Sequence, residues 1–346
     1  MGCGSSDGAT VQDTATSSTT SSARWDPALW PDTIGGERPA PVRTPSNWDG
    51  KSELPGVIVL HGYGVNATVQ EAYFQLLAQM EERPFVYVMP EGTTNSFNWQ
   101  FWGANAACCD YENSGVDDVT YLSGLIEEMV QVYPVDPDRI TLIGHSNGGY
   151  MAYRMACDHA DLVASIASLA GATYAYESSC TPSDPVHVLQ IHGTEDDVIR
   201  YDGQCILPFI FCYPGAVESV TTWAGYNQCS AVEEEDAPLD LDGGIPGSET
   251  SRRILADGCD EHGSAELWTI AGGSHGPAFN SNFPRELVSW LLEHDRSPDE
   301  SPCSADVNDD GTECYGGKFD TNEPSVYICS ESTISCVEPR RSGPAW

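Results

Sequence analysis

A parallel α/β fold, its mostly parallel sheet covered by helices on both faces, is predicted by three features of the 346-residue chain. Short apolar, β-branched runs alternate with segments whose apolar residues recur at helical spacing. The strand runs are apolar throughout, as in strands buried on both faces. One of them passes through a glycine-framed turn straight into a helix, at Gly144-His145-Ser146-Asn147-Gly148.

Residues 1–30 are rich in Ser, Thr, Asp and Gly. They cannot bury a core and are expected to be a disordered tether. Folded sequence begins near Gly35 and the domain is placed at residues 31–296. Gly56 to Leu60 reads as a buried strand running into the turn His61-Gly62-Tyr63-Gly64, with a helix expected over Val69 to Glu82. Phe85 to Met89 is the next strand, closed by Pro90. A long loop follows with Trp99, Phe101, Trp102, Cys108 and Cys109. Leu122, Leu125, Ile126, Met129, Val130 and Tyr133 mark a helix, and Asp117 and Asp118 suit its positive N-terminal end. Arg139 to Ile143 is the strand before the Ser146 turn. Further strands are expected at Leu162–Ala170, Val186–Ile191 and Glu266–Ile270, with helices at Val217–Tyr226 and Pro284–His294.

Residues 297–346 change character, being rich in Pro, Asp, Ser and Gly. Cys303, Cys314, Cys329 and Cys336 in this run suggest a stapled module. Asp306, Asn308, Asp310 and Gly311 open like a calcium loop. Its twelfth position is Gly317, which supplies no carboxylate, so the run is read as an acidic turn.

The chain carries 52 acidic and 15 basic residues, a formal net charge of −37. Such a surface repels nucleic-acid phosphates and anionic lipid. The 13 cysteines lack paired CxxC spacing and argue for an oxidising, exported setting over a reducing cytosol. No run is long and apolar enough to be a transmembrane segment, and Met1-Gly2-Cys3 opens without an apolar signal core. Cys3 at the tip of a Ser-rich tether looks like a lipoprotein anchor. Met1-Gly2 with Ser6 also fits a myristoylation pattern, which the cysteine usage opposes.

The chemistry centres on Ser146. A strand–turn–helix elbow holds the hydroxyl at a strand end, beside helix N-terminal amides able to hold negative charge. Such a nucleophile needs a base, and the base an orienting acid. His275, in the glycine-rich run after the last strand, has the order and setting of the base. Glu195, Asp196 and Asp197 all follow a strand end and compete for the acid. The oxyanion donors expected are the amides of Asn147 and Tyr63. His61 and His192 are expected to brace backbone, and His145 to pack or bond locally. Trp99, Phe101 and Trp102 are candidates to line a cleft, with Trp99 and Trp102 named as substrate contacts. No metal or organic cofactor is expected.

Five stretches carry a family resemblance. They are Leu60-His61-Gly62-Tyr63-Gly64, Gly115-Val116-Asp117-Asp118-Val119, Gly144-His145-Ser146-Asn147-Gly148-Gly149, His192-Gly193-Thr194-Glu195-Asp196 and Gly272-Gly273-Ser274-His275-Gly276. In this order, over Gly35 to His294, they resemble the polyhydroxybutyrate depolymerase / feruloyl esterase group of α/β-hydrolases, the family-1 carbohydrate esterase type. The resemblance implies an α/β-hydrolase fold and an exported serine esterase acting through an acyl-enzyme. It puts the acid on Asp196. It implies an ester substrate that is polymeric or polymer-linked: a polyhydroxyalkanoate polyester, or feruloyl or acetyl groups on plant polysaccharide. Cys229 and Cys259 look like a pair that clips relatives, flanking an acidic insertion at Glu233–Gly247. Cys205 with Cys212 would close a small loop. Cys108 and Cys109 are each expected to bridge to Cys157 or Cys180 rather than to each other. The alternatives are a surface-anchored binding protein on a retired hydrolase fold, which the complete Ser146, Asp196 and His275 set opposes, and a serine peptidase.

Overall fold

The computed structural model describes residues 30–206, 211–230 and 234–296. The tether with Cys3, the segment with Cys303, Cys314, Cys329 and Cys336, and the calcium-like run lie outside the described residues.

The strands in chain order are β1 (Thr33–Ile34), β2 (Ala40–Arg43), β3 (Leu54–Leu60), β4 (Val86–Val88), β5 (Thr93–Thr94), β6 (Gln100–Phe101), β7 (Val135–His145), β8 (Ser165–Leu169), β9 (His187–Gly193), β10 (Gly203–Ile206), β11 (Phe211–Pro214), β12 (Glu234–Leu239), β13 (Thr250–Leu255) and β14 (Ser264–Ile270). The helices are α1 (Ala67–Phe74), α2 (Asp118–Val132), α3 (Asn147–Asp158), α4 (Ala216–Tyr226) and α5 (Asn282–Glu293). Ten strands form one sheet in the order β1-β2-β4-β3-β7-β8-β9-β14-β13-β12. The six from β4 to β14 pair in parallel. Antiparallel β1–β2 and β13–β12 extend the two edges.

The two faces of β3 explain the layering. Ile58 and Leu60 join the core that holds α2 and α3, whereas Val57 and Val59 join the core that holds α1 and α5. Strands so placed have no wet face, and β3 and β8 are accordingly apolar or small along most of their length. The chain leaves β3 outward to β4, then returns through α2 to β7 on the other flank of β3. The order therefore reverses between β3 and β7, and the turns at their carboxyl ends, His61–Gly64 and Ser146, lie at the place where α/β sheets bind ligands.

Several elements depart from their expected bounds. The helix expected over Val69–Glu82 begins at Ala67, where the Asn66 side chain caps it by accepting from Val69 N–H. It stops at Gln75, whose φ of 58° is left-handed, and resumes as a short 3₁₀ turn at Leu76–Ala78. Asp117 caps α2. Asp118, in contrast, is buried, ion-paired with Arg38 and accepting from Gly103 N–H. The acidic stretch read as an insertion contributes β12, an edge strand whose Asp236 pairs with Arg252 of β13. Charge on an edge strand discourages further pairing, and it also disguises the strand in the sequence.

Disulfides join Cys205 to Cys212 across the β10–β11 hairpin and Cys229 to Cys259, as expected. The expectation for the other four cysteines is corrected. Cys108 bonds to Cys109, and Cys157 to Cys180. Cys157, in the last turn of α3, lies 5.6 Å from Cys180 between Cα atoms, an ordinary bridging separation. Asn105 and Cys108 exchange backbone hydrogen bonds in a tight turn, which leaves the buried neighbours Cys108 and Cys109 only one another. Bonded cysteines in this number fit an oxidising compartment. No helix among the described residues is long and apolar enough to cross a membrane.

Candidate active site

Ser146 sits at the end of β7 as the residue before α3, with φ 53° and ψ −118°. A non-glycine residue there is strained, and only a firmly fixed surround holds it. The surround is close-packed backbone. A Cβ on Gly144 would lie 2.1 Å from the Gly148 carbonyl group, and one on Gly148 would lie 2.2 Å from the Leu60 carbonyl oxygen. Glycine at both positions lets α3 start directly against β3 and β7. Ser146 N–H donates to Leu169 O at 2.7 Å, anchoring the turn to β8.

The acid and the histidine arrive on neighbouring loops. β9 and β14 are adjacent and parallel, so the loops after Gly193 and Ile270 leave side by side. Thr194 N–H donates to Ile270 O, Glu195 N–H to Gly273 O, and Gly272 N–H to Thr194 Oγ1. This stitching turns Asp196 inward. Asp196 is buried, whereas Glu195 and Asp197 are exposed. Asp196 Oδ1 accepts from the amides of Val198 and Ile199, and Oδ2 lies 2.8 Å from His275 Nδ1. His275 therefore points Nε2 away from the carboxylate. Its backbone carbonyl accepts from His145 Nε2 at 2.9 Å, and the two imidazoles lie 5.0 Å apart. His145 thus ties the histidine loop to the elbow, a contact across the fold where sequence suggested only local packing.

Charge in the site is set by burial and hydrogen bonds. Burial pushes the Asp196 carboxyl up, but hydrogen bonds from His192, His275 and the Ile199 amide outweigh it and hold the group well below the usual carboxylate range. His192 Nε2 donates to Ile199 O at 2.8 Å, and the same nitrogen lies 3.3 Å from Asp196 Oδ2. Sequence reading gave His192 only a backbone role. Its position four residues before Asp196 was the available sign of a second partner for the acid. Burial lowers His145 to about 4, so it is neutral and can serve as a fixed donor.

The β3 turn abuts Ser146, since a Cβ on Gly62 would stand 3.8 Å from Ser146 Cβ. Its amides divide clearly. Gly62 N–H donates to Gln70 Oε1 and Gly64 N–H to Gln100 O. The Tyr63 and Asn147 amides have no backbone partner among the described residues. The Asn147 side chain does separate work, accepting from Trp102 N–H and donating to Trp102 O. His61 braces backbone as expected, donating from Nδ1 to Gly62 O and accepting from Gly92 N–H at Nε2.

Of the two tryptophans named as substrate contacts, Trp102 is corrected. It is fully buried and its indole N–H donates to His61 O, so it supports the Tyr63 turn from beneath. Phe101 is buried too. Trp99 is exposed and meets the Tyr63 ring edge-on at 5.6 Å.

Comparison with known proteins follows the same lines. The family described as "Putative esterase" matches residues 32–241. "Putative esterase NocK" of Nocardia uniformis subsp. tsuyamanensis is 31% identical over 154 residues, covering 44% of this chain and 43% of that protein. Feruloyl esterase B of Piromyces equi is 26% identical over 240 residues, covering 68% of this chain and 42% of that protein. The chain thus spans less than half the length of these two relatives. Among solved structures, acetyl xylan esterase from Aspergillus awamori superposes with a TM-score of 0.52 at 14% identity, covering 75% of this chain and 97% of that one. At that identity the likeness shows the fold.

Proposed function

The chain belongs to the Esterase family, and from that premise we propose that it is an exported serine esterase with Ser146, His275 and Asp196 as its triad. The observation that carries the reading is the bond from His275 Nδ1 to a buried, ionised Asp196, on a loop tied to the elbow of a strained serine. In the proposed mechanism His275 Nε2 takes the Ser146 proton as Oγ attacks the ester carbonyl. Asp196 fixes the imidazole tautomer and supports the imidazolium. The Tyr63 and Asn147 amides receive the developing oxyanion, being the donors in the two turns that the fold leaves unused. The alcohol leaves with the proton from His275. Water, deprotonated by the same imidazole, then cleaves the acyl-enzyme.

The substrate reading is a carboxylic ester on a polymer. It rests on relatives named as feruloyl esterases and as a bifunctional acetylxylan esterase/xylanase. The disulfides support action outside the reducing cytosol. Treatment with a fluorophosphonate probe followed by peptide mapping is expected to find one adduct, on Ser146. An unlabelled protein would mean a binder on a hydrolase fold.

The acid assignment has its own test. Asp196→Asn should lower kcat by about 10⁴, because the amide favours the wrong imidazole tautomer. Asp197→Asn, at an exposed position, should leave kcat within about twofold. The reverse order in a p-nitrophenyl acetate assay would overturn the assignment.

A further inference from the structure

The loop between β4 and α2 carries a feature that the triad does not use. Phe97 is 74% exposed, Trp99 54% and Tyr111 70%, and they are all but one of the large exposed aromatics among the described residues. They form one cluster around the ring of Tyr63. Tyr63 meets Trp99 at 5.6 Å and Tyr111 at 5.7 Å, both edge-on, and Trp99 meets Phe97 at 6.3 Å.

Tyr63 helps to hold the loop, its hydroxyl accepting from Asn95 Nδ2 at 2.8 Å, but polar side chains rather than the rings of Phe97, Trp99 and Tyr111 make the loop's other side-chain hydrogen bonds. Asn95 Oδ1 accepts from the amides of Phe97 and Trp99, and Glu112 accepts from Ser96 N–H. Asp110 accepts from Ser114 N–H. Polar side chains already satisfy the turn, so apolar surface stays in water without a structural return. The cluster is also continuous with the candidate site. Gly64 N–H donates to Gln100 O on β6, and the Tyr63 amide is the donor proposed for the oxyanion. A chain of net charge −37, with Asp110 and Glu112 beside the rings, disfavours an anionic occupant.

We propose, resting on the esterase reading, that Tyr63, Phe97, Trp99 and Tyr111 form a shelf on which a flat, uncharged ring of the substrate lies while its ester is at Ser146. The ring has two sources of like chemistry. It is an aromatic ring on the acyl side or a neutral sugar ring on the alcohol side, and both offer an apolar face to stacked rings.

Steady-state kinetics of the full chain separate them. The three substrates are methyl ferulate, with its ring on the acyl side, an acetylated xylo-oligosaccharide, with its rings on the alcohol side, and methyl butyrate, which has none. For Trp99→Ala and Tyr111→Ala, kcat/KM on the ring-bearing ester, relative to methyl butyrate, should fall about two- to tenfold per ring, mainly through KM. Trp99→Phe should restore most of it. A fall confined to ferulate assigns the shelf to the acyl ring, and one confined to the oligosaccharide assigns it to the sugar. Phe97→Ala, at the most exposed position, serves as a second variant if either of the others fails to fold. Ratios unchanged in both arms overturn the shelf. A wild type that hydrolyses none of the three overturns the esterase reading and the shelf with it.

Discussion

Replacement of Ser146 by alanine should lower kcat by about 10⁴–10⁶ while leaving the fold intact. The size follows from the proposed chemistry. Without Oγ there is no acyl-enzyme, and the remaining catalysis comes from bound water and the oxyanion donors. Structural loss is expected to be small, because the contact that anchors the turn is the backbone bond from residue 146 to Leu169 O. Alanine inherits the same left-handed φ of 53°, so strain at the position is unchanged. Single-turnover measurement with p-nitrophenyl acetate should lose the acyl-enzyme burst altogether, with thermal unfolding unmoved. A variant retaining a tenth of wild-type kcat would remove Ser146 from the mechanism.

What sequence could reveal divides by range. The elbow was legible because its requirements are local: an apolar strand, glycines where Gly148 meets Leu60, and a helix-forming run behind them. His275 was legible from its order and its glycine-rich loop. Residue order alone left the acid open, since Glu195, Asp196 and Asp197 all follow β9, and it was the family resemblance that put it on Asp196. Only the stitching of Thr194 and Glu195 to the neighbouring loop decides which carboxyl turns in. Trp102 misled for a related reason. Spacing cannot show that its indole reaches beneath β3 to His61 O. The cysteines misled because pairing depends on where α3 ends relative to Cys180, a tertiary fact. Edge strand β12 was missed because the charge that protects a free edge also erases the strand pattern, and its neighbour β13 carries the arginines that answer that charge.

Acidification from pH 7 to about 4 should destabilise the fold strongly, through His61, His145 and His187, with His294, also lowered by burial, acting in the same direction. Burial lowers His61 and His145 to about 4 and His187 to about 3, from 6.5. Burial is the main cause, and it outweighs the bonds from His61 Nδ1 to Gly62 O and from His187 Nε2 to Asp295 O, which favour the charged ring. His61 Nε2 accepts from Gly92 N–H, and His187 Nδ1 is bonded to Ser264 Oγ while Nε2 donates to Asp295 O. Neighbouring cations or imidazoles, Arg38 for His61, His275 for His145 and His294 for His187, oppose protonation further. The sign is set by linkage. Below 6.5 the unfolded chain binds protons that the folded chain refuses, so stability is full above that pH and falls as pH drops toward 4. Each group is worth on the order of 3 kcal/mol across this window, and three together rival the stability of a typical domain. Glu71 and Glu91, raised by burial, act in the opposite direction and offset part of the loss. Asp196, held low, keeps its contribution until the pH falls below the usual carboxylate range. Urea unfolding at a series of pH values should show the midpoint falling steadily from pH 6.5 to 4, with about three protons taken up on unfolding near pH 5. His187→Gln, at the far end of β9 from the site, should reduce that uptake by about one. A midpoint that stays flat to pH 4 would show that these rings are protonated in the folded chain, contrary to the burial argument.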